Sequence, residues 1–178
     1  MQGQQQPTTT IAVDPQITTV YVCNRFTISI VIRNIPEETP MTGFGFIIGY
    51  DKTQMELISR RLNLPTDWKA DAEELDTGIY MLKAGGPATI GDLAVVYITF
   101  HCISEGETPI SFLETELLHA EGYIDHTPVK GAVNQVPRPP APVGGELFSS
   151  NKVVVLSPFL ALAAVAALTA AAVKKRKH

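Results

Sequence analysis

The segment GFGFIIGYDKTQMELI, residues 43–58, alternates large apolar side chains with glycine before it reaches a Tyr-Asp pair. Phe44, Phe46, Ile48 and Tyr50 fall on one side of an extended chain, because successive side chains of a strand point to opposite faces. Burying such side chains is worth about 1.5–3 kcal/mol each. The segment therefore predicts a β-strand that turns one face into a hydrophobic core.

The opposite face of this strand carries Gly43, Gly45 and Gly49, with Ile47 as its one side chain. Glycine in a strand interior costs roughly 0.5–1 kcal/mol, so three glycines on one face need a reason. One reason is the close approach of another backbone or of a flat ligand. The alternatives are shielding by a neighbouring loop, or glycine that is merely tolerated. After the strand, Asp51 is expected to begin a turn by accepting hydrogen bonds from the next backbone amides.

The same period-two alternation continues from Ile11 to about Val136. It is longest in FTISIVIR, residues 26–33, and in LAVVYITFHC, residues 93–102, which both predict half-buried strands. Cys102 falls on the inward face of the second segment. Shorter candidate strands lie near four residues: Ile11, Tyr80, Ile110 and Val136.

Turn-rich segments separate these candidate strands: NIPEETP, KAGGPATIG, SEGETP and YIDHTP. Only DWKADAEEL, residues 67–75, has a helical composition, and it is short. Many strands with one-sided alternation and frequent turns are typical of an antiparallel β-sandwich. We therefore predict an all-β fold for residues 11–136, after a flexible leader at residues 1–10.

Charge divides the chain into an acidic body and a basic end. Four basic residues stand at 174–177, and the rest of the chain has ten basic against eighteen acidic residues. Because phosphate binding requires a basic surface, we expect no nucleic acid partner for this acidic body.

The C-terminal part predicts a membrane anchor. Residues 137–152 are rich in proline and glycine and form a semi-stiff spacer. Residues 153–173 carry no charge, and as a helix they would extend roughly 31 Å, close to the thickness of a hydrocarbon core. The basic tail, residues 174–178, then lies in the cytoplasm by the positive-inside rule. The β-domain is accordingly predicted to be extracellular, on a single-pass protein of the cell membrane.

An extracellular domain needs an export signal, and none is recognisable in MQGQQQPTTT, residues 1–10. We expect such a signal to have preceded Met1. The alternative is a tail-anchored protein with a cytoplasmic domain, but the basic cluster would then lie on the wrong side of the bilayer.

The chain has two cysteines, Cys23 and Cys102. An exported domain lies in an oxidising compartment, so we predict a disulfide between them, closing a loop worth about 3–4.5 kcal/mol in the chain-entropy model. The alternative is two unpaired, buried thiols. Neither the cysteines nor the four histidines show zinc-site spacing.

Four segments, taken in order, resemble a cohesin domain. IAVDPQITTVYVCNRFTISIVI is similar to the opening V-x-x-G-D-x-F-T-V pattern, with Cys23-Asn24 where the family often has Gly-Asp. FGFIIGYDKTQMELI is similar to Y-D-P-x-x-L-E, with Lys52 for proline and Met55 for leucine. GDLAVVYITF matches G-x-L-A-x-I-x-F, and TPVKGAVNQV resembles the closing strand. The resemblance covers residues 11–136, and the spacer, span and basic end resemble those of archaeal cell-surface proteins.

The resemblance implies a cohesin-like jelly roll that docks a dockerin-type protein on one flat sheet face. Outward residues of the central strands would then carry the contact. They are Gly45, Ile47, Gly49, Tyr97, Thr99 and, less centrally, His101.

Carbohydrate binding is the alternative, since sandwiches of this shape also occur in sugar-binding modules. Such modules usually expose a row of aromatic side chains, whereas this chain has one tryptophan, Trp68, and 7% aromatic residues. Trp68 is read either as a sugar contact or as a loop anchor packed on the sandwich. A purely structural surface domain is a further alternative.

No enzymatic activity, cofactor or metal is expected. Glu73, Glu74 and Asp76 are adjacent in sequence, which indicates a solvated face rather than the opposed carboxylates of a glycosidase. No G-x-S-x-G motif is present. Scattered aspartates could provide calcium ligands, but their spacing does not indicate a site.

Overall fold

Residues 7–76 and 78–140 are described by the structure, a computed structural model. Over these residues the chain forms twelve β-strands and no helix. In chain order the strands are β1 (Thr10–Asp14), β2 (Ile17–Tyr21), β3 (Arg25–Ile35), β4 (Met41–Gly49), β5 (Met55–Leu62), β6 (Lys69–Asp76), β7 (Ile79–Thr89), β8 (Gly91–Cys102), β9 (Gly106–His119), β10 (Gly122–Tyr123), β11 (Thr127–Val129) and β12 (Gly131–Val136).

The strands form two sheets, which confirms the predicted all-β sandwich. The five-stranded sheet has the order β11-β1-β3-β8-β5. The seven-stranded sheet has the order β2-β12-β9-β4-β7-β6, with the short β10 paired to β9. Most pairs are antiparallel as expected, but β1 pairs with β11, and β2 with β12, in parallel. Alternation along one strand cannot reveal this, because both kinds of pair have period two.

The first extended segment, residues 10–21, contributes one strand to each sheet. β1 pairs with β3, whereas β2, only two residues further on, pairs with β12 on the other sheet. Pro15 and Gln16 separate them. β1 and β2 thus begin the two layers of the sandwich from one continuous stretch of chain.

The core lies between the sheets and matches the predicted inward faces. Phe44, Phe46 and Ile48 of β4 are at most 2% exposed. The ring of Phe46 contacts those of Tyr80 and Phe112, at centroid distances of 6.3 and 6.1 Å. From the other sheet the core receives alternate residues of β3 and β8: Ile28, Ile30, Ile32, Val96, Ile98, Phe100 and Cys102. Cys102 is fully buried, as its position on the inward face predicted.

The predicted helix at residues 67–75 is wrong. Residues 69–76 form β6, which pairs antiparallel with β7. Glutamate and alanine favour helix, but a helix this short is marginal because its first turn is costly to form. Pairing with β7 decides the conformation instead, and Ala72 of β6 packs against the core. The segment KAGGPATIG, predicted as a turn, also belongs largely to a strand, β7.

Strands β2 and β5 were not predicted as separate elements.

The predicted turn at Asp51, which precedes β5, is confirmed. The amide of Thr53 donates to Asp51 Oδ1 over 2.8 Å. The hydroxyl and the amide of Thr53 lower the pKa of Asp51 below its usual range. The turn therefore keeps its carboxylate ionised and in place.

The predicted membrane span at 153–173 lies outside the described residues, as do the basic tail and the spacer beyond residue 140. Within residues 7–76 and 78–140, no helix is long and apolar enough to cross a membrane.

The predicted disulfide between Cys23 and Cys102 is not present in the structure, where both cysteines are free. Cys23 and Cys102 are neighbours, since the amide of Cys23 donates to the carbonyl oxygen of Cys102 over 3.0 Å. However, Cys23 is exposed and lies in a left-handed turn with φ of 67°, whereas Cys102 is buried. Cys23 is thus accessible to solvent, whereas Cys102 is not. Burial, and then the nearby Cys23 thiol, raise the pKa of Cys102.

Alkylation should distinguish the two thiols. In unreduced native protein, we expect iodoacetamide to modify Cys23 and to leave Cys102 unmodified, because Cys102 is inaccessible and its raised pKa suppresses the reactive thiolate. Peptide mass spectrometry measures both sites. After unfolding in guanidinium without reductant, both should be alkylated; a requirement for prior reduction would show a disulfide and contradict the structure.

Candidate partner-binding surface

The residues predicted for one binding face lie on two different faces. Gly45, Ile47 and Gly49 belong to β4 of the seven-stranded sheet, whereas Tyr97 and Thr99 belong to β8 of the five-stranded sheet. Because both sets point away from the core, they lie on opposite outer surfaces of the sandwich. The prediction that they form one face is therefore wrong.

At the middle of the β4 surface, a polar bridge crosses the strand over Gly45. Gly45 is directly opposite Lys83 of β7 on one side and Glu116 of β9 on the other. The Lys83 Nζ and Glu116 Oε1 atoms are 4.0 Å apart. A Cβ atom on residue 45 would lie 2.6 Å from Glu116 Oε1. The missing side chain at Gly45 thus lets Glu116 reach across β4 towards Lys83.

The other glycines of β4 are also covered by side chains of β9. Leu113 lies over Gly49, and a Cβ added there would be 3.4 Å from its two methyl carbons. Leu118 lies similarly close to Gly43, at 3.5 Å. Close approach of a β9 side chain therefore explains Gly45, whereas Gly49 has neighbours only at ordinary contact distance and a Cβ on Gly43 would be closest to the Ala84 carbonyl oxygen of β7, at 3.3 Å. The result is a low strand between higher neighbours.

Apolar side chains surround one end of this low strand. Ile47 is directly opposite Met81 of β7, and both are partly exposed. Ile79, opposite Gly49, is also partly exposed. Leu113 of β9 is 56% exposed. Together Ile47, Ile79, Met81 and Leu113 form an apolar patch that water contacts in the isolated domain.

Acidic side chains border the apolar patch. Glu114 is opposite Ile47 on β9, and Glu73 is opposite Met81 on β6. Asp71 and Glu116 add two further carboxylates next to the patch and the bridge, where the amino groups of Lys69 and Lys83 are the basic groups. Gly45, Ile47, Lys83, Glu114 and Glu116 line a shallow depression between patch and bridge. We call the outer surface of β9, β4, β7 and β6 the glycine face. It combines an apolar patch at the Gly49 end of β4 with an acidic border.

The opposite surface, on the five-stranded sheet, has side chains that partner one another. The guanidinium carbon of Arg61 lies 4.7 Å from the ring centre of Tyr97. The hydroxyls of Thr99 and Thr27 are 2.9 Å apart and hydrogen-bonded. His101 Nδ1 lies 3.8 Å from a carboxylate oxygen of Glu56. These side chains are therefore engaged with one another on the outer surface of the five-stranded sheet.

Trp68, the candidate sugar contact, is anchored to the sandwich. Its ring stacks on Phe44 at a centroid distance of 5.9 Å, and its Nε1 donates to the Pro87 carbonyl oxygen over 2.9 Å. It also lies over Gly86, where an added Cβ would be 2.5 Å from Trp68 Cδ1. One face of the indole is therefore covered, as in the loop-anchor interpretation.

Glu73 and Glu74, the carboxylates considered for catalysis, are not arranged as a catalytic pair in the structure. Glu74 accepts a hydrogen bond from the Tyr50 hydroxyl over 2.9 Å. Burial, and then Glu74, raise the pKa of Tyr50 far above its usual value, so this hydroxyl stays protonated. Glu73 is exposed on the glycine face. Within residues 7–76 and 78–140, no three His, Cys, Asp or Glu residues lie close enough to hold a metal ion.

Solved cohesin modules have a fold similar to that of this chain. A non-cellulosomal cohesin from the hyperthermophilic archaeon Archaeoglobus fulgidus matches with a TM-score of 0.62 at 13% identity, over 73% of this chain and 92% of its own. A type I cohesin from Pseudobacteroides cellulosolvens matches with a TM-score of 0.65 at 13% identity, over 74% and 94%. The chain has the cohesin fold. Neither a protein-family model nor a curated protein sequence matches it.

A further matching cohesin was solved in complex with a dockerin. The cohesin of a type I cohesin–dockerin complex from Clostridium thermocellum superimposes with a TM-score of 0.63 at 15% identity, over 73% of this chain and all of its own. At such low identities the likeness concerns backbone architecture, so individual contact residues cannot be transferred by alignment.

Sequence reasoning identified the β4 half of the glycine face and missed the other half. Met81, Lys83, Leu113, Glu114 and Glu116 lie beside β4 only because of strand order and register. The alternation of β7 and β9 signalled which residues point outward, but no local signal paired them with β4.

Proposed function

We propose that this chain is a non-enzymatic binding module that docks a dockerin-type protein on the glycine face. The observation that carries the proposal is the low, glycine-lined β4, whose Ile47 belongs to an apolar patch that acidic side chains border. Cohesins of the same fold are known in complexes with dockerins from Clostridium thermocellum and Acetivibrio cellulolyticus. Both points favour a protein partner over a polysaccharide.

The chemistry of the glycine face specifies the partner's surface. Burying the patch of Ile47, Ile79, Met81 and Leu113 requires apolar side chains on the partner, since apolar area removed from water stabilises the complex. The acidic border requires basic residues around them, because complementary charge speeds association and excludes wrong partners. An amphipathic element with flanking Lys or Arg fits both requirements.

A single substitution tests the face. Ile47→Asp is expected to weaken capture of dockerin modules about tenfold or more, because it places a carboxylate at the centre of the apolar patch, beside Glu114. Surface plasmon resonance, with the full-length chain immobilised and a panel of purified dockerin modules in solution, measures the change. The panel should include the dockerins of the two complexes named above.

The matched control is Ile58→Asp. Ile58 is 38% exposed and lies on β5 of the other sheet, so the same chemical change there should leave binding unaltered. Undiminished capture by Ile47→Asp, or equal loss in both variants, would remove the glycine face as the docking site. Failure of every dockerin to bind wild type would contradict the partner class itself.

We also propose that residues 153–173 tether the module to the cell membrane with the β-domain outside. The support is the uncharged length of this segment and the basic residues that follow it. Protease added to intact cells should remove the β-domain and leave the C-terminal segment in the membrane fraction. Complete protection of the domain would place it on the cytoplasmic side.

A further inference from the structure

Strand β2 forms a sheet edge without the usual protection against pairing. It is the terminal strand of the seven-stranded sheet, and residues 15–24, which include it, contain no charged side chain. Four of its five residues are β-branched and the fifth is tyrosine, types that favour strands. Native proteins usually protect such an edge with charges, proline or a bulge, because its free backbone groups accept another strand.

The other three terminal strands of the two sheets do carry such protection. β6 exposes Lys69, Asp71 and Glu73, and β5 exposes Arg60 and Arg61. β11 has three residues, of which the middle one is proline. Among the sheet edges of the described chain, β2 alone is a full strand of uncharged residues.

The backbone of β2 has hydrogen-bonding groups directed away from its neighbour. The Gln16 carbonyl oxygen accepts from the Ala132 amide over 2.7 Å, and the Val22 amide donates to the Val136 carbonyl oxygen over 3.0 Å. In a parallel pair only alternate residues of a strand bond to one neighbour. The even-numbered residues of β2 therefore face β12, and the odd-numbered residues present their amides and carbonyls at the edge.

The odd-numbered side chains of β2 are also the exposed ones. Ile17 is 74% exposed and Tyr21 is 44% exposed, with an exposed Thr19 between them. The even-numbered Val20 is buried. The edge therefore offers an alternating row of isoleucine, threonine and tyrosine on the same side as the glycine face.

This row is complementary to itself, and we propose that β2 pairs antiparallel with β2 of a second copy of this chain. A two-fold axis at Thr19 places Ile17 of each copy opposite Tyr21 of the other, and the two Thr19 residues opposite each other. The edge-directed backbone groups of these residues then meet as hydrogen-bonded pairs. Aromatic–β-branched and Thr–Thr cross-strand pairs are favourable combinations in sheets.

The charges at the two ends of β2 are compatible with this symmetry. The axis brings the Asp14 end of one strand towards the Asn24 end of the other. At the Asn24 end, Arg138 donates to Asn24 Oδ1 over 3.0 Å. Asp14 itself belongs to β1 and already forms an ion pair with Arg33, with 3.2 Å between Arg33 Nη2 and Asp14 Oδ1, so these end charges do not oppose the antiparallel orientation.

Pairing at β2 would join two seven-stranded sheets into one continuous sheet. Because the axis is perpendicular to the sheet, both glycine faces would lie on the same side. A dimer would then offer two docking surfaces to a partner with two binding modules, which raises avidity when the geometry allows both to bind. This consequence rests on the proposed function, whereas the pairing itself does not.

Sedimentation velocity of the full-length chain, in one detergent throughout, tests the pairing over a concentration range of ~1 µM to ~1 mM. We expect a concentration-dependent monomer–dimer equilibrium for wild type. Thr19→Lys should raise the dissociation constant at least ~10-fold, because two ammonium groups would face each other at the axis. Thr19 is exposed, so the variant should fold, and circular dichroism checks this. A purely monomeric wild type, or a dimer that persists in Thr19→Lys, overturns the proposal.

Disulfide trapping gives an independent measurement of the register. On a Cys23→Ser background, Thr19→Cys should form a covalent dimer under mild oxidation, because directly opposed residues have Cα atoms about 5.5 Å apart, within disulfide range. Ser59→Cys, exposed on the β5 edge, is the matched control and should remain monomeric. Equal trapping at both positions would indicate random collision and overturn the pairing.

Discussion

Phe46→Ala is expected to lower the free energy of unfolding by about 3–5 kcal/mol, the cost of removing a large aromatic side chain from a well-packed core. Phe46 is 1% exposed, and its ring contacts those of Phe44, Tyr80 and Phe112. Few neighbours can move into the cavity, because these rings belong to three paired strands. Urea unfolding followed by the fluorescence of Trp68, which stacks on Phe44, measures the loss.

Phe26→Ala is the matched control for this prediction. Phe26 also stacks on a phenylalanine, Phe100, at 5.6 Å, but it is only partly buried. The same substitution there should cost clearly less. Equal losses at Phe46 and Phe26 would mean that the centre of the core does not lie around β4.

Gly131→Val is expected to destabilise the fold by about 1–3 kcal/mol through overpacking. A Cβ on residue 131 would lie 2.5 Å from Val13 Cγ1 and 2.9 Å from Val13 Cβ. Val13 is 1% exposed and its side chain is short and stiff, so it cannot move aside. The strain falls where β12 meets the junction of β1 and β2, because the Ala132 amide bonds to Gln16 there.

Ala132→Val tests whether this loss is specific. Ala132 is the next residue of β12 and is only partly buried, so two methyl groups can be added with little change in the urea midpoint. A loss equal to that of Gly131→Val would attribute the effect to β12 as a whole rather than to the contact with Val13. No loss in Gly131→Val would contradict the close packing of β12 on β1.

Prediction from the sequence succeeded where burial is one-sided. In β3, β4 and β8 each inward position is apolar, so the period of two predicts both the strand and its buried face. It failed for residues 67–75 because β6 is an edge strand with mostly exposed side chains. The polar composition of β6 reflects the exposure of its side chains to solvent rather than a helical preference, and pairing with β7 determines the conformation.

The candidate site was half predictable for a related reason. The glycines of β4 marked it as a strand that something approaches closely, but the sequence could not show that Glu116 of β9 does so at Gly45. It also grouped Tyr97 and Thr99 with β4, because outward alternation is the same on either sheet. Only strand order separates two outer surfaces of one sandwich.

Taken alone, the sequence determined that the chain is a β-sandwich, which side chains enter its core, and that β4 has an unusually low outer surface. These properties depend on residues near each other in the chain, through the alternation of the extended backbone. The tertiary structure decided which strands are neighbours, which thiol is buried and which charges border the glycine face. It also left β2 at an edge. These properties depend on pairing between residues more than 100 positions apart, as in the parallel pairing of β1 with β11 and of β2 with β12, which no local pattern encodes.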